Sequence, residues 1–319
     1  MRTTRIVSKV SVCLIFVICS FSANAQRSLT KAIDFDRDGK ADPVVYRGRD
    51  HRWYILKSGG GNFTLHINEN YNIVNASFAP GDYDGDSKGD ICIWKDSDAT
   101  FYCLLSSTGA LITKQLGDTT DEPVSRDYDG DGITDFAVVH SQDGSKIWKI
   151  IQSKTNTQIT TQFGIATDCT VPGDYDGDGK FDIAVIRQDN NNGLTTFHIL
   201  RSSSGYWVVN WGVTDDLAVP GDYDGDGKTD LAIVRDYDGY FYWYILKSTD
   251  SGLLLQQVGG GRFRDYPVQN DYDGDGTTDI AVWRPSTGIW YIRKSQNGEF
   301  MYYYWGVLKD FPLAGTDVH

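Results

Sequence analysis

The sequence predicts an all-β fold, a β-propeller of six four-stranded blades, with seven blades as the alternative. A nine-residue phrase, Asp-x-Asp-x-Asp-Gly-x-x-Asp, occurs six times, once with Ser in place of Gly, at steps of 45 to 49 residues. A period of this length is typical of propellers and other repeat architectures. Each step carries four short runs of β-branched and aromatic residues, and no segment shows a sustained helical period.

Unit five shows how one repeat predicts four strands. Leu217–Asp224 leads into the aspartate phrase, and Asp230–Arg235 follows as the second run. Tyr242–Lys247 and Leu253–Val258 are the third and fourth runs, and Gly, Asp and Ser separate them. Four short antiparallel strands in about 47 residues match the size of one propeller blade.

The second and third runs predict how the blades pack. In unit six, Ile280 and Val282 lie on one face of the second run and Ala281 and Trp283 on the other, which suits a blade held between two others. The third run carries an aromatic residue at the same place in each unit: Trp53, Phe101, Trp148, Phe197, Trp243 and Trp290. Six sugar-stacking platforms are the alternative, but identical repeat positions favour blade-on-blade packing.

A cation or a histidine closes the second run of every unit. These residues are Arg47, Lys95, His140, Arg187, Arg235 and Arg284. A ring of positive charge that binds an anionic ligand is one interpretation. Local pairing with nearby carboxylates is the other, and we favour it, although such pairs contribute little when they are exposed.

The first 25 residues have the features of a signal peptide. Three basic residues precede the apolar stretch Val10–Phe21, and Ala23-Asn24-Ala25 is a small-x-small cleavage site. We expect residues 1–25 to be removed and residues 26–319 to form a single propeller domain, secreted or held at the cell surface. The apolar stretch is too short to span a bilayer, as is every later segment; an uncleaved N-terminal anchor is the alternative.

The charge of the chain is acidic and comes almost entirely from aspartate. The net charge is −13, and 40 of the 43 acidic residues are Asp, of which 24 lie in the six phrases. Solubility alone would not favour Asp, because Glu serves it equally well. Asp is the better residue for tight turns and for metal coordination by a short side chain. An aromatic content of 13% excludes a disordered acidic chain. Nucleic acid and anionic membranes are poor partners for such a protein.

Each aspartate phrase predicts a loop that coordinates a divalent cation. Carboxylates at positions 1, 3 and 5 converge if the chain coils tightly, and Gly at position 6 permits the turn. Position 7 would supply its carbonyl, and position 9 would close the shell. Oxygen-only ligands of high negative charge select Ca²⁺ over Mg²⁺ and Zn²⁺, so we predict up to six structural Ca²⁺ ions. Six Asp-Gly turns without an ion are the alternative, which four aspartates at fixed offsets disfavour.

We number the loops one to six and their residues by position. The predicted ligands are Asp34, Asp36, Asp38 and Asp42 in loop one; Asp82, Asp84, Asp86 and Asp90 in loop two; Asp127, Asp129, Asp131 and Asp135 in loop three; Asp174, Asp176, Asp178 and Asp182 in loop four; Asp222, Asp224, Asp226 and Asp230 in loop five; and Asp271, Asp273, Asp275 and Asp279 in loop six. Loop two has Ser87 where Gly is wanted, so we expect the weakest site there. The loops are not EF-hands, because position 12 is not Glu and the flanks read as strands.

At these residues the chain resembles the FG-GAP/VCBS repeat family, the integrin-α-type propellers. The resemblance also rests on Gly81, Gly173 and Gly221, each after a Pro, and on the pairs Phe163-Gly164, Trp211-Gly212 and Trp305-Gly306. It covers residues 27–319 and implies Ca²⁺ in the hairpin loops between first and second strands, on one face of the propeller. It also implies a role in adhesion or recognition through the other face or the rim. Unit one departs from the family, because its fourth strand lacks the aromatic-Gly ending.

Two features of the sequence leave alternatives open. Aligning unit two with unit six places Cys92 and Cys103 opposite each other across a hairpin, so that a disulfide and two buried thiols are both compatible with the sequence. Cys169 has no evident partner. The tail from Phe311 to Thr316 resembles a first strand without its loop. It either closes the ring beside Leu29 to Asp34 or remains a spare edge.

The sequence predicts a non-catalytic, monomeric module that recognises an extracellular protein or glycan. The histidines (His51, His66, His140, His198 and His319) form no spaced cluster, and the sequence has no serine elbow, no His-Glu-x-x-His and no phosphate loop. A polysaccharide-acting enzyme, either a glycosidase or a lyase, is one alternative. A lectin is another, with Trp207, Trp211, Tyr303 and Tyr304 as candidate contacts.

Overall fold

The computed structural model describes residues 32–65, 76–189 and 191–314. Their strands form six four-stranded antiparallel sheets, arranged in a ring as the blades of a β-propeller. The prediction of an all-β propeller with six blades is confirmed, and the seven-blade alternative is wrong. The predicted signal peptide, Leu29, His66 and His319 lie outside the described residues, as does the end of the fourth strand in unit one.

The strands follow the chain order of the units. Blade one begins with β1 (Val44–Arg47), β2 (Arg52–Leu56) and β3 (Asn62–Leu65). Blade two contains β4 (Ala76–Phe78), β5 (Ile91–Lys95), β6 (Thr100–Leu104) and β7 (Leu111–Gln115). Blade three contains β8 (Glu122–Pro123), β9 (Phe136–Gln142), β10 (Ser145–Ile151) and β11 (Gln158–Ile165).

Blades four to six repeat the plan. Blade four contains β12 (Cys169–Thr170), β13 (Ile183–Asp189), β14 (Leu194–Arg201) and β15 (Gly205–Val213). Blade five contains β16 (Leu217–Ala218), β17 (Leu231–Tyr237), β18 (Tyr240–Leu246) and β19 (Leu253–Gln257). Blade six contains β20 (Tyr266–Pro267), β21 (Ile280–Arg284), β22 (Ile289–Arg293) and β23 (Phe300–Tyr304). The last strand, β24 (Asp310–Leu313), returns to blade one, and two short 3-10 helices span Asp96–Asp98 and Gly261–Phe263.

The hydrophobic core lies between the blades. The six third-strand aromatic residues are all 0% exposed, so the expectation that they pack blade on blade is confirmed. One core cluster combines Trp243 and Ile245 of blade five with Ile280 and Val282 of blade six. Because the second strand is buried on both faces, as β21 shows, each blade is stabilised by its neighbours rather than by a core of its own.

The chain end closes the ring. β24 pairs antiparallel with β1, with Val44 opposite Leu313, and therefore occupies the first-strand position of blade one. The Nε and Nη2 atoms of Arg47 each donate a hydrogen bond of 2.8 Å to the buried carboxylate of Asp310. Of the two alternatives for the tail, ring closure is the correct one.

The five cations and the one histidine at the ends of the second strands pair locally, as we expected. The pairs are Arg47 with Asp310, Lys95 with Asp98, His140 with Asp121, Arg187 with Asp168, Arg235 with Asp216, and Arg284 with Asp265. Five of these aspartates are buried. The carboxylate partner is therefore shielded from water in five blades. In the remaining pair, the side chain of Asp98 is 38% exposed, and contacts of that kind contribute little to stability.

The register of blade two resolves the cysteine alternatives. Cys92 in β5 lies directly opposite Cys103 in β6, and the two form a disulfide. Both side chains are fully buried. Cys169 is a free thiol and is exposed.

A closed ring of backbone hydrogen bonds joins the six loops. In each loop the N–H of position 8 donates to the carbonyl oxygen of position 1 in the preceding loop, over 2.6 to 2.8 Å. The donor and acceptor pairs are Gly89 and Asp34, Thr134 and Asp82, Phe181 and Asp127, Thr229 and Asp174, Thr278 and Asp222, and Ala41 and Asp271. The loops therefore form one continuous belt on a single face of the propeller.

We call each contact between two adjacent loops a seam. In three of the six seams, a glycine before one loop faces a threonine at position 8 of the next loop. A Cβ atom on Gly81 would lie 2.7 Å from the side chain of Thr134, and Gly173 and Gly221 meet Thr229 and Thr278 in the same way. In the other three seams the residue before the loop is larger, and the position-8 residue is not Thr. These seams join Ile33 to Gly89, Arg126 to Phe181, and Asn270 to Ala41.

We predict that Gly81→Ala lowers the free energy of unfolding by about 1–3 kcal/mol, because the stiff β-branched Thr134 cannot move away. In the double variant Gly81→Ala/Thr134→Gly, the loss of unfolding free energy should be about 1 kcal/mol smaller than the sum of the losses in the two single variants. Urea denaturation measures both values. Gly48→Ala is the control, because a Cβ atom there meets only the ring edge of Tyr46 at 4.0 Å. Strict additivity of the Gly81 and Thr134 changes would contradict the proposed contact.

Candidate metal centres in the six loops

Position 1 of each loop organises the coil through its side chain. In loop five, Oδ1 of Asp222 accepts the N–H groups of Gly225 and Asp226 at 2.7 and 3.2 Å, and Oδ2 accepts that of Gly227 at 2.8 Å. Gly225 and Gly227 both have positive φ angles, 75° and 83°. The chain therefore turns around the position-1 carboxylate, as the spacing of the phrase predicts.

Position 9 ties the loop to the rest of the blade. Oδ2 of Asp230 accepts the N–H of Tyr223 at 2.8 Å, and Oδ1 accepts the N–H of Ser248 at 2.7 Å. The hydroxyl group of Tyr223 in turn donates to the carbonyl oxygen of Val219. Since both oxygens of Asp230 are already hydrogen-bonded, position 9 holds the loop against the end of the third strand. That it also closes a metal shell stays a prediction.

A serine after each third strand belongs to the site, and the sequence reasoning missed it. In loop five the hydroxyl group of Ser248 donates to the position-5 carboxylate of Asp226 at 2.8 Å, while its N–H serves position 9. The equivalent residues are Ser58, Ser106, Ser153, Ser202, Ser248 and Ser295. Their signal in the sequence is a serine 24 to 28 residues after each loop begins.

Position 3 presents an oxygen that has no protein partner. In loops one, four, five and six, one buried carboxylate oxygen makes no hydrogen bond. These atoms are Oδ1 of Asp36, Oδ1 of Asp176, Oδ1 of Asp224 and Oδ2 of Asp273. A buried anionic oxygen without a donor is costly, and a bound cation would satisfy it.

The loops bring three carboxylates together at each metal candidate. Ligand atoms within 4.8 Å of one another come from positions 1, 3 and 9 in loops one and three, and from positions 1, 3 and 5 in loops two and four. All of these donors are oxygen atoms of high charge, which suits Ca²⁺. The residues therefore fit the predicted ion. Bound there, a cation would neutralise the carboxylates and fix the coil.

Burial makes the loops electrostatically unfavourable on their own. It raises the pKa of the position-9 residues Asp135, Asp230 and Asp279 to about 7, and the charges of neighbouring loop aspartates add to the effect. Burial likewise raises the pKa of Asp127 and Asp174, at position 1, to about 6, against the opposing effect of their backbone donors. Like charges held together and shielded from water favour proton or cation binding.

Loop two differs from the others at position 6, and it shares a second feature with loop three. Ser87 takes the left-handed conformation that Gly occupies elsewhere, with φ 65°, which is strained for a residue with a Cβ atom. Both oxygens of Asp84, at position 3, accept hydrogen bonds, from the N–H of Asp86 and the hydroxyl group of Ser107. Both oxygens of Asp129 in loop three also accept hydrogen bonds. The strain at Ser87, which the other five loops avoid with glycine, supports the expectation that loop two holds a cation least well.

Similarity to known proteins agrees with this geometry. The model of the FG-GAP-like repeat family matches residues 127–185, which run from the first residue of loop three, through β9 to β12 and loop four, into β13. This matched segment and the six-blade ring around it fit an FG-GAP/VCBS repeat propeller. No curated protein matches it at a significant level. Within the described parts of the chain, no helix has the length and apolar character that a bilayer crossing requires.

A further acidic group lies outside the loops. Asp118, Asp121 and His140 have ligand-type atoms within 4.8 Å of one another. The Nζ atom of Lys149 lies 3.6 Å from both aspartates, and Asp121 also pairs with His140. A single lysine therefore offsets part of the charge of two aspartates, and the group is an ion cluster at the edge of blade three, where the side chain of Asp118 is 70% exposed.

We predict that Ca²⁺ raises the melting temperature of chelator-stripped protein by many degrees, because it binds the folded loops and not the open chain. Asp224→Asn, which removes charge while keeping the side-chain shape, should lower the number of Ca²⁺ ions bound by about one. Isothermal titration calorimetry measures that number. Asp250→Asn, outside the loops, is the control. An unchanged melting curve in excess EDTA would contradict the metal assignment.

The raised pKa values predict the pH dependence of the metal-free protein. Burial holds the pKa of Asp230 at about 7 in the fold, whereas an unfolded aspartate titrates near ~3.9. Between these values the folded chain binds more protons than the unfolded chain, so its free energy of unfolding falls as pH rises from about 5 to about 8. Melting temperatures in EDTA should fall over this pH range. The increase in melting temperature on adding Ca²⁺ should become larger over the same range. If the melting temperature measured in EDTA rose with pH instead, the loop carboxylates would be ionised even without a cation.

Proposed function

We propose that the protein is a secreted or surface-held, Ca²⁺-stabilised propeller that recognises an extracellular protein or glycan and has no catalytic role. The observation that carries this proposal is the use of the repeated polar groups. The loop aspartates bind their own backbone, the serines bind the aspartates, and the strand-end cations bind buried carboxylates. These groups serve the scaffold, which leaves the blade surfaces for binding.

The outer strands supply apolar surface for such binding. Tyr206 in β15 is 57% exposed, and Tyr304 in β23 is 76% exposed. Phe300 and Tyr302 stack on each other, 6.1 Å apart at their ring centroids, and both are exposed. Exposed aromatic residues clustered on strands are typical of recognition surfaces.

The candidate lectin contacts divide into two groups. Trp207, Trp211 and Tyr303 are partly buried, and the indole N–H of Trp211 donates to the carbonyl oxygen of Tyr244 in the next blade. These three contribute to packing. Tyr304 alone among the four is largely exposed, so it is the candidate that fits a ligand contact best.

An enzymatic alternative finds less support. Among the described residues, the carboxylates whose pKa burial raises all belong to the six loops, as Asp42 and Asp279 illustrate. An acid–base pair for glycoside hydrolysis needs two carboxylates in different environments on either side of a substrate site. The loop carboxylates instead accept hydrogen bonds from their own backbone.

The test combines binding with turnover. We expect the Ca²⁺-loaded protein to bind one class of glycan on a printed array, or one purified extracellular matrix protein, without shortening any polysaccharide. Tyr304→Ala should weaken that binding if the rim of blade six contributes. Tyr237→Ala, which removes an exposed tyrosine from a hairpin of blade five, is the matched control. Release of shorter chains from a polysaccharide by the wild-type protein would overturn the proposal.

A further inference from the structure

Four blades share an arrangement of a cation over a tyrosine ring. The cation closes the second strand, and the tyrosine directly follows the buried aromatic residue of the third strand. The distances from cation to ring centroid are 3.9 Å for Arg47 and Tyr54, 6.0 Å for Lys95 and Tyr102, 4.8 Å for Arg235 and Tyr244, and 4.6 Å for Arg284 and Tyr291. In these blades the ring fills the space beneath the cation.

Blade four departs from this arrangement. His198 follows the buried Phe197, where those four blades carry tyrosine. A pocket of about 400 Å³ lies there, lined by Phe163, Gly164 and Ile165 of blade three and by Arg187, His198 and Tyr206 of blade four. The equivalent pocket between blades four and five, where Tyr244 is present, has a volume of only about 130 Å³. A smaller side chain at one position thus accompanies a larger pocket.

The polar groups of the pocket are fixed in place. Arg187 donates through Nε and Nη2 to the buried carboxylate of Asp168, at 2.8 Å each. Its Nη1 atom makes no hydrogen bond within the described parts of the chain and remains available as a donor. The Nδ1 atom of His198 pairs with the hydroxyl group of Tyr206 at 2.7 Å, which leaves Nε2 for a ligand. Burial and the charge of Arg187 lower the pKa of His198, which favours the neutral form of its ring.

The walls of the pocket are aromatic. Phe163 meets Tyr206 edge to face, with ring centroids 6.0 Å apart, and Tyr206 stacks on the ring of His198 at an interplanar angle of 20°. A ligand that fits such a pocket needs an apolar face for the rings. It also needs hydrogen-bonding groups at its edge for the arginine and the histidine.

The charge balance decides between an anionic and a neutral ligand. Asp168 already neutralises Arg187, and the chain as a whole carries a net charge of −13. An anion would therefore meet no net positive charge in the pocket and would be repelled at long range. A pyranose ring offers an apolar C–H face and hydroxyl groups around its edge, without charge.

We propose that the pocket between blades three and four is a binding site for a neutral saccharide residue. The aromatic walls contact the C–H face of the sugar, and Nη1 of Arg187 and Nε2 of His198 bind its hydroxyl groups. The inference rests on the proposed function in recognition and narrows it to one site and one ligand class. It also separates blade four from the repeats in which tyrosine occupies the same place.

His198→Tyr tests the proposal by giving blade four the residue that fills the pocket elsewhere. The probes are methyl glycosides of galactose, glucose, mannose, fucose and N-acetylglucosamine, with methyl glucuronide as the anionic probe, in saturation-transfer NMR. We expect at least one neutral glycoside to bind the wild-type protein and His198→Tyr to weaken it at least about tenfold. Tyr244→His, the reverse change in blade five, should leave this binding intact. Tyr206→Ala, at an exposed position that folding tolerates, should weaken it as well.

The possible results distinguish a failure of the proposed saccharide pocket from a failure of the proposed role in recognition. Equal binding by the wild type, His198→Tyr and Tyr206→Ala would place the sugar elsewhere and overturn the site, while recognition itself would stand. Preference for methyl glucuronide, or failure of every neutral glycoside to bind, would overturn the ligand class. Loss of all binding on the glycan array and to matrix protein would instead overturn the proposed function. Matching melting curves for the variants and the wild type show that each variant is folded.

Discussion

The aspartate at position 1 of each loop holds this propeller together through two different groups. Its carboxylate accepts N–H groups from its own loop, as Asp222 does from Gly225 and Gly227. Its backbone carbonyl oxygen accepts the N–H of position 8 from the following loop. One residue therefore sets the local turn and the spacing of adjacent blades. Because the contact repeats in all six seams, the blades are held at one corner while their cores pack behind it.

This arrangement concentrates charge where water cannot relieve it. The carboxylates that shape the loop are buried, and burial alone raises their pKa values towards neutrality. Position 3 adds an oxygen with no protein donor in four of the loops. The hydrogen bonds that coil the chain are therefore offset by like-charge repulsion and desolvation. A divalent cation at this point would act on the same groups that define the turn, so the fold and the metal candidate cannot be separated.

The sequence predicted the features that are local and periodic. The 45- to 49-residue step, the four short runs and the aspartate offsets each depend on residues near one another, and they led to the blade, the ring and the loops. The serines such as Ser248 and the buried aspartates such as Asp216 were missed, because their partners lie many residues away. Their recurrence at similar offsets gains a meaning only once the contacts are known. The disulfide needed the register of β5 and β6. The pocket at His198 needed the neighbouring blade, since only the packing shows what a tyrosine would fill.

The matched seams also bear on how such a ring can gain or lose blades through gene duplication. Gly221 precedes loop five, and Thr229 stands at position 8 of the same loop, so a tandem copy of unit five would present a compatible edge to the original. A tandem copy of unit six would place Asn270 against Thr278, where the existing seams with threonine have glycine. The repeats are alike in fold but not interchangeable in order.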